Sequence, residues 1–177
     1  MKQRSPSVSR FSAAAAILWA VASILLIATA ASATVRYVPE QHATIQLAIQ
    51  ATVNGDTVLV NRGTYRENIS FLDRTITVAS YYLTTGDPSY IDNTRIEAAV
   101  GGIPVVEISG GQGRGALLTG FTIAFGSGPQ GGGVLCLGTS PTIDHNTIRD
   151  NCVRENGGGI CTYDGGPRIS YNRIVFN

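Results

Sequence analysis

Apolar and polar positions alternate in short runs over most of this chain, and near its C-terminus one such unit occurs twice. Gly131-Gly132-Gly133-Val134 and Gly157-Gly158-Gly159-Ile160 are offset by 157 − 131 = 26 positions. The same shift sets Pro141 on Pro167, Ile143 on Ile169, Asn146 on Asn172, Ile148 on Ile174 and Asn151 on Asn177. Within each unit the apolar residues keep a period near two, with one slip at a bend, and Gly, Pro, Asn and Asp bound the runs. Such alternation predicts strands between turns, and units too small to bury a core alone predict a stacked architecture. One unit is then one turn of a coil, with Ile over Ile and Asn over Asn. Asn suits a tight left-handed corner, and its amide can bond to the Asn one coil away. Asn146 and Asn172 therefore read as structural residues rather than as sugar ligands.

Before the coils the period changes. Ile45, Ala48 and Ile49 fall at i, i+3 and i+4, which predicts a short helix over Thr44–Ala51 with Thr44 as N-cap and Asn54-Gly55 as the stop. A helix there would cover the apolar end of the stack and shield its first strand edge. From Gly55 to Ile69 the pattern is strand, glycine turn and second strand, with Val58 and Val60 facing in and Tyr65 packed at the corner. Ile76-Thr77-Val78 continues the wall, and Tyr81 to Asn93 is a longer loop before Ile96. Val105, Val106 and Ile108 supply the next coil. Leu118 to Ile123 then aligns on Ile143 to Ile148 with a shift of 143 − 118 = 25. About five coils fit between Gly55 and Asn177 on this spacing. Nothing after Ile174 reads as a cap, so the stack is expected to need a continuation or a partner at that end.

The repeated pattern, GGG-[VI] followed by SPTIDHNTIRDN or GPRISYNRIVFN, resembles the right-handed parallel β-helix repeat of pectate-lyase-like proteins and related carbohydrate-binding and sugar-hydrolase repeats. The resemblance runs from about Tyr37 to the last residue. It implies an all-β chain: a single-stranded right-handed parallel β-helix, about 26 residues per coil, behind a short N-terminal capping helix. The expected boundaries are an N-terminal strand and capping helix over 34–54 and the β-helix over 55–177. Function is far less constrained, since that fold carries lyases, hydrolases, esterases, epimerases and adhesins.

Residues 1–33 are expected to lie outside the fold. Lys2, Arg4 and Arg10 give a positive start, Phe11 to Ala33 carries no charge, and Ala31-Ser32-Ala33 is a small-residue cleavage pattern. This predicts a signal peptide removed after Ala33 and an exported protein; an uncleaved membrane anchor is the alternative. Removing the segment takes three of the 13 Lys+Arg and none of the 12 Asp+Glu, leaving 10 − 12 = −2. Lys2 is also the only lysine. A near-neutral domain without lysine lacks the clustered basic footprint that nucleic acid requires.

Three cysteines in an exported chain invite a disulfide. Cys136 and Cys161 are 25 apart where the unit is 26, which puts them on opposite faces of neighbouring strands. Cys136 is expected to face inward, and Cys152 with Cys161 is the candidate pair. His42 and His145 are the only histidines, and no Cys/His cluster has metal-ligand spacing.

Lyases of the resembled fold use a basic residue on a uronate, often with calcium held by outward Asp and Glu, so calcium is the cofactor expected if the chain is lyase-like. The outward set here is Asp144, Thr147 and Arg149, stacked against Ser170, Arg173 and Val175. Asp144, Arg149, Asp150 and Arg173 are the candidate ligands for an acidic sugar, and Tyr81 and Tyr82 for a saccharide stacking contact. No carboxylate pair recurs on one face across two coils, and the Asn-Thr-Asp, Asp-Asp and Gly-His-Gly signatures of polygalacturonases are absent. The favoured expectation is a non-catalytic module presenting an elongated face to polysaccharide. A pectate-lyase-like enzyme with catalytic coils beyond Asn177 comes second, and an adhesin-like surface stalk third.

Overall fold

Alternation with glycine and asparagine punctuation gives seventeen short strands in the structure, a computed structural model that describes residues 32–110 and 113–177. Residues 1–31, which carry nearly all of the expected signal peptide, lie outside the described residues. One sheet holds β1 (Val35–Val38), β2 (Thr57–Val60), β5 (Thr77–Ser80), β8 (Leu117–Thr119), β12 (Thr142–Asp144) and β16 (Arg168–Ser170), in that order. A second holds β3 (Gly63–Arg66), β6 (Thr94–Glu97), β9 (Thr122–Ala124), β13 (Thr147–Arg149) and β17 (Arg173–Val175). The third is built from β4 (Ile69–Ser70), β7 (Val106–Ser109), β11 (Val134–Leu137) and β15 (Ile160–Tyr163). A fourth pairs β10 (Ser127–Gln130) with β14 (Cys152–Asn156). Every pairing between these strands is parallel, and the chain meets the first, second and third sheets in one repeating order. An all-β, all-parallel path of this kind is compatible with a β-helix.

Register follows the predicted shifts. Ile143 pairs Ile169 and Ile148 pairs Ile174 at 26, while Leu118 pairs Ile143 and Ile123 pairs Ile148 at 25. Each sheet therefore sends one apolar column inward: Val58, Val78, Leu118 and Ile143 from the first, Ile96, Ile123 and Ile148 from the second, Ile69, Val106 and Val134 from the third. All are buried, and each side chain of this size contributes about 1.5–3 kcal/mol of burial. Phe71 and Phe121 fill the space between columns.

Helix α1 (Ile45–Gln50) buries Ile45, Ala48 and Ile49, as its spacing requires. The Thr44 hydroxyl accepts from the Leu47 N–H at 3.2 Å, and the Glu67 carboxylate accepts from the free Ile45 and Gln46 N–H groups at 2.9 Å each. A carboxylate at an N-terminus satisfies donors that the helix cannot. Asp56 joins the first strand to the second. Its buried carboxylate accepts from the Thr34 and Val53 N–H groups at 2.8 and 3.0 Å and from Arg36 at 3.3 Å. The segment read as one long loop contains two short helices, α2 (Tyr82–Thr85) and α3 (Ser89–Asn93). Thr122 donates its hydroxyl to the Ile91 carbonyl at 2.9 Å and so ties α3 to β9.

The corners differ from expectation in one respect. The asparagines do not adopt the left-handed conformation; the residues before them do. His145, Asp150, Tyr171 and Phe176 have φ of 51°, 57°, 54° and 56°. Asn146 follows His145 and turns its buried amide toward the neighbouring strands. Its Oδ1 accepts from the Phe121 N–H at 3.1 Å, and its Nδ2 donates to Leu118 O at 3.0 Å and Asn172 Oδ1 at 3.1 Å. Asn151 and Asn177 repeat this, with Asn151 Oδ1 accepting from Gly126 N–H at 2.8 Å and Nδ2 donating to Asn177 Oδ1 at 2.9 Å. The ladder is thus built by the asparagines, and the left-handed turn is made by their neighbours.

The cysteines correct a second expectation. All three are free thiols. Cys152 opens β14 and pairs Ser127, whereas Cys161 lies on β15 and pairs Leu135. The two belong to different sheets, so the bridge is not formed. Cys136 is fully buried opposite Thr162, one residue out of step with Cys161. Burial pushes the Cys136 thiol up to about 12.

Candidate functional site: an aromatic column beside Asp144

At the end of the first sheet the left-handed corners stack as Gly120, His145 and Tyr171, with φ of 85°, 51° and 54°. The glycine decides what happens there. A Cβ on Gly120 would collide with Ser80 Oγ and with Tyr82 Cβ, so its absence leaves a slot that Tyr82 fills. Tyr82 is held in place because its N–H donates to Ser80 Oγ at 3.2 Å and because α2 closes at Gly86, whose N–H donates to Tyr82 O at 2.9 Å. The outcome is a continuous ring column. Tyr82 and His145 have centroids 5.0 Å apart at 35°, and His145 and Tyr171 have centroids 4.9 Å apart at 18°. Offset pairs in this range are worth about 0.5–1.5 kcal/mol each beyond their burial.

Beside the column lies a pocket of about 300 Å³ lined by Tyr82, Leu83, Gly86, Leu117, Thr119, Asp144 and His145. Strand alternation explains the wall. Val78, Leu118 and Ile143 point inward, so Leu117, Thr119 and Asp144 face out, and register sets Thr119 beside Asp144. The Asp144 carboxylate is 3.5 Å from His145 Nδ1, longer than an ordinary hydrogen bond. Its side chain is 25% exposed and that of His145 35%, so both can be reached from solvent. A larger concavity of about 480 Å³ over β10 and β14 is lined by Gly102, Ser127, Gly128, Pro129, Cys152, Val153 and Arg154. It offers a thiol and a guanidinium but neither an aromatic ring nor a carboxylate, and the smaller pocket carries the richer chemistry.

The six sequence-predicted residues fall in different places. Tyr82 and Asp144 meet in the pocket. Tyr81 caps the start of α2 and turns its ring to Tyr90, with centroids 5.8 Å apart at 27°, while the Arg62 guanidinium lies 4.2 Å over Tyr90. Burial first, then the Glu40 carboxylate, raises the Tyr81 phenol. Arg149 and Asp150 form an ion pair at 2.6 Å on the second sheet, so that guanidinium has a partner already. Arg173 is exposed on β17 in register with Thr147, and Arg149 faces Val175. The two arginines do not stack, and Asp144 lies on another sheet from both. His145 and Tyr171 entered the sequence reading only as a non-ligand and an unremarked position. The 26-residue shift that aligned Asn146 with Asn172 also aligns the residues before them, and that signal was available.

Among the described residues no group of three or more His, Cys, Asp and Glu could hold a metal ion, and no helix is long and apolar enough to cross a membrane. No family model, no curated protein and no solved structure matches the chain.

Proposed function

We propose that the parallel sheets are the walls of one right-handed parallel β-helix of the pectate-lyase-like kind, and that the protein is an exported module that binds polysaccharide on its outer face. The hand is supported by sheet twist, since parallel strand–crossover–strand units are right-handed in about 98% of cases. Export is supported by the charge and small-residue pattern of residues 1–33. The binding reading is carried by one observation, the Tyr82–His145–Tyr171 column beside the outward Asp144. Pyranose rings present an apolar C–H face and a rim of hydroxyls. Aromatic and aliphatic surface takes the first, and a carboxylate accepts hydrogen bonds from the second.

The test is affinity electrophoresis of the full chain through gels containing neutral, amino-sugar and polyuronate polymers, beside Tyr82→Ala and Tyr171→Ala. The reading expects at least one polymer to retard the protein and both substitutions to weaken that retardation about tenfold, as expected for loss of a stacking contact with its burial. Equal mobility in every gel would remove the binding role. Release of ultraviolet-absorbing unsaturated ends from a polyuronate would instead favour the lyase alternative.

A further inference from the structure

We infer that the Tyr82–Asp144–His145 pocket selects a glycosyl unit bearing hydrogen-bond donors, hydroxyl or ammonium, and rejects a uronate. This rests on the polysaccharide-binding reading above and names the sugar class that reading leaves open.

The charge arrangement carries it. The one acidic side chain lining the pocket is Asp144, and no arginine lines it. Lysine is absent from residues 34–177. Arg149 is occupied by Asp150 at 2.6 Å and stands on another sheet. On the pocket's own sheet Arg168 faces Thr142, at the opposite end of β12 from Asp144, and Arg114 lies near the same end, where its carbonyl accepts from the Thr142 hydroxyl at 3.5 Å. Arg168 stands one strand over from Asp144 and two residues along it, about 8 Å between backbones, and it does not line the pocket. Among the described residues no ion pair joins Arg168 to Asp144.

Asp144 has an unfilled acceptor capacity. Among the described residues the side chain set against its carboxylate is His145, whose Nδ1 lies at 3.5 Å. A carboxylate accepts several donors, and those at the correct distance must come from a ligand or water. Vicinal hydroxyls, or a hydroxyl beside an ammonium group, supply them. A uronate carboxylate in the same place would set like charges together with no arginine or lysine lining the pocket between them. The apolar side of the pocket, Tyr82, Leu83 and Leu117, fits the C–H face of one ring. A volume of about 300 Å³ is at the small end of ligand sites, which suits a single glycosyl unit of a longer chain.

The experiment measures retardation of the full chain at 150 mM salt in gels of a soluble β-glucan, chitosan and polygalacturonate, for the native sequence, Asp144→Asn and Asp164→Asn. Asp164 is exposed on a corner of the last coil and removes the same charge away from the pocket. The expected result is retention by β-glucan or chitosan, about tenfold weaker in Asp144→Asn and unchanged in Asp164→Asn, with none by polygalacturonate. Loss on β-glucan would assign the donors to hydroxyls, and loss on chitosan alone would assign them to the ammonium. Retention by polygalacturonate alone, insensitive to Asp144→Asn, overturns the inference while leaving polysaccharide binding intact. Retention by chitosan weakened equally in both variants overturns it as bulk charge attraction. Retention by none of the three overturns the binding reading itself.

Discussion

Replacing Asn146 by Ala separates the amide ladder from ordinary core packing. Asn146 is 2% exposed, and its Oδ1 is the acceptor of the Phe121 N–H. Its Nδ2 also donates to the carbonyls of Leu118 and Asp144 at 3.0 and 2.8 Å and to Asn172 Oδ1 at 3.1 Å. Alanine leaves the Phe121 donor buried without an acceptor and removes a donor from two carbonyls. An unsatisfied buried group costs about 1–3 kcal/mol, and the weakened carbonyls add to it, so the expected loss is about 2–4 kcal/mol. Against a typical stability of about 5–15 kcal/mol that is a large share. At about 3 °C per kcal/mol for a domain of this size, Tm should fall by about 6–12 °C. Asn172→Ala is the internal control. Asn172 is only half-buried, so water can replace it, and about 1 kcal/mol is expected. The two losses should not add, because the residues share a hydrogen bond. Urea unfolding followed by circular dichroism measures both, with an unchanged m-value as the two-state check. A loss at Asn146 below about 0.5 kcal/mol, or one no larger than at Asn172, would refute the assignment of the ladder as a buried polar spine.

Three further outcomes follow from particular contacts. Gly133→Ala would set a Cβ 2.5 Å from Gly159 O and 2.8 Å from Ile148 Cγ2, so thermal unfolding should show a loss of about 2 kcal/mol or more; a neutral effect would contradict the close approach of these neighbouring chain segments. The Asp56 carboxylate is held below the usual carboxylate range by the Val53 and Thr34 N–H groups and then by Arg36. A folded-state value lowered in this way gives stability that is complete above about pH 4 and lost as pH falls through the folded value; Asp56→Asn should flatten the acid limb of Tm against pH, and parallel limbs would sink the assignment. Thiol titration with an aromatic disulfide at neutral pH should label exposed Cys152 at once, with buried Cys136 and Cys161 reacting only on unfolding; fewer than three reactive thiols in denaturant would restore the disulfide.

The stacking register could be read from the chain because identical residues recur at identical offsets, and a parallel ladder keeps like over like. The helix at Ile45–Gln50 was legible for a similar reason, since Thr44 and the Ile45, Ala48, Ile49 face are local signals. What the pattern left open has physical causes. Ser127–Gln130 and Cys152–Asn156 carry few apolar residues, so β10 and β14 pair without the alternation that marks the other strands. Asp144 and Arg149 both point outward, yet alternation does not say that the chain turns a corner between them, and the turn places them on different sheets. The left-handed residue was assigned to Asn by propensity. Tertiary context placed it one position earlier, on His145 and Tyr171, which freed the asparagine amides for the interior and brought two rings into contact. The pocket followed from that displacement and from the missing side chain at Gly120, neither of which a single repeat displays.

The most direct measurement uses the two histidines. His145 lies in the ring column between Tyr82 and Tyr171, whereas His42 sits in the turn before α1, where its backbone N–H donates to Tyr37 O at 3.2 Å. Imidazole signals in a proton–nitrogen or proton–carbon NMR spectrum, assigned with His145→Gln, report the two places separately. On titration with an oligosaccharide of the retained polymer, the His145 ring signals should shift saturably while those of His42 stay fixed. A saturable interaction that leaves His145 unmoved would contradict the column as the binding site.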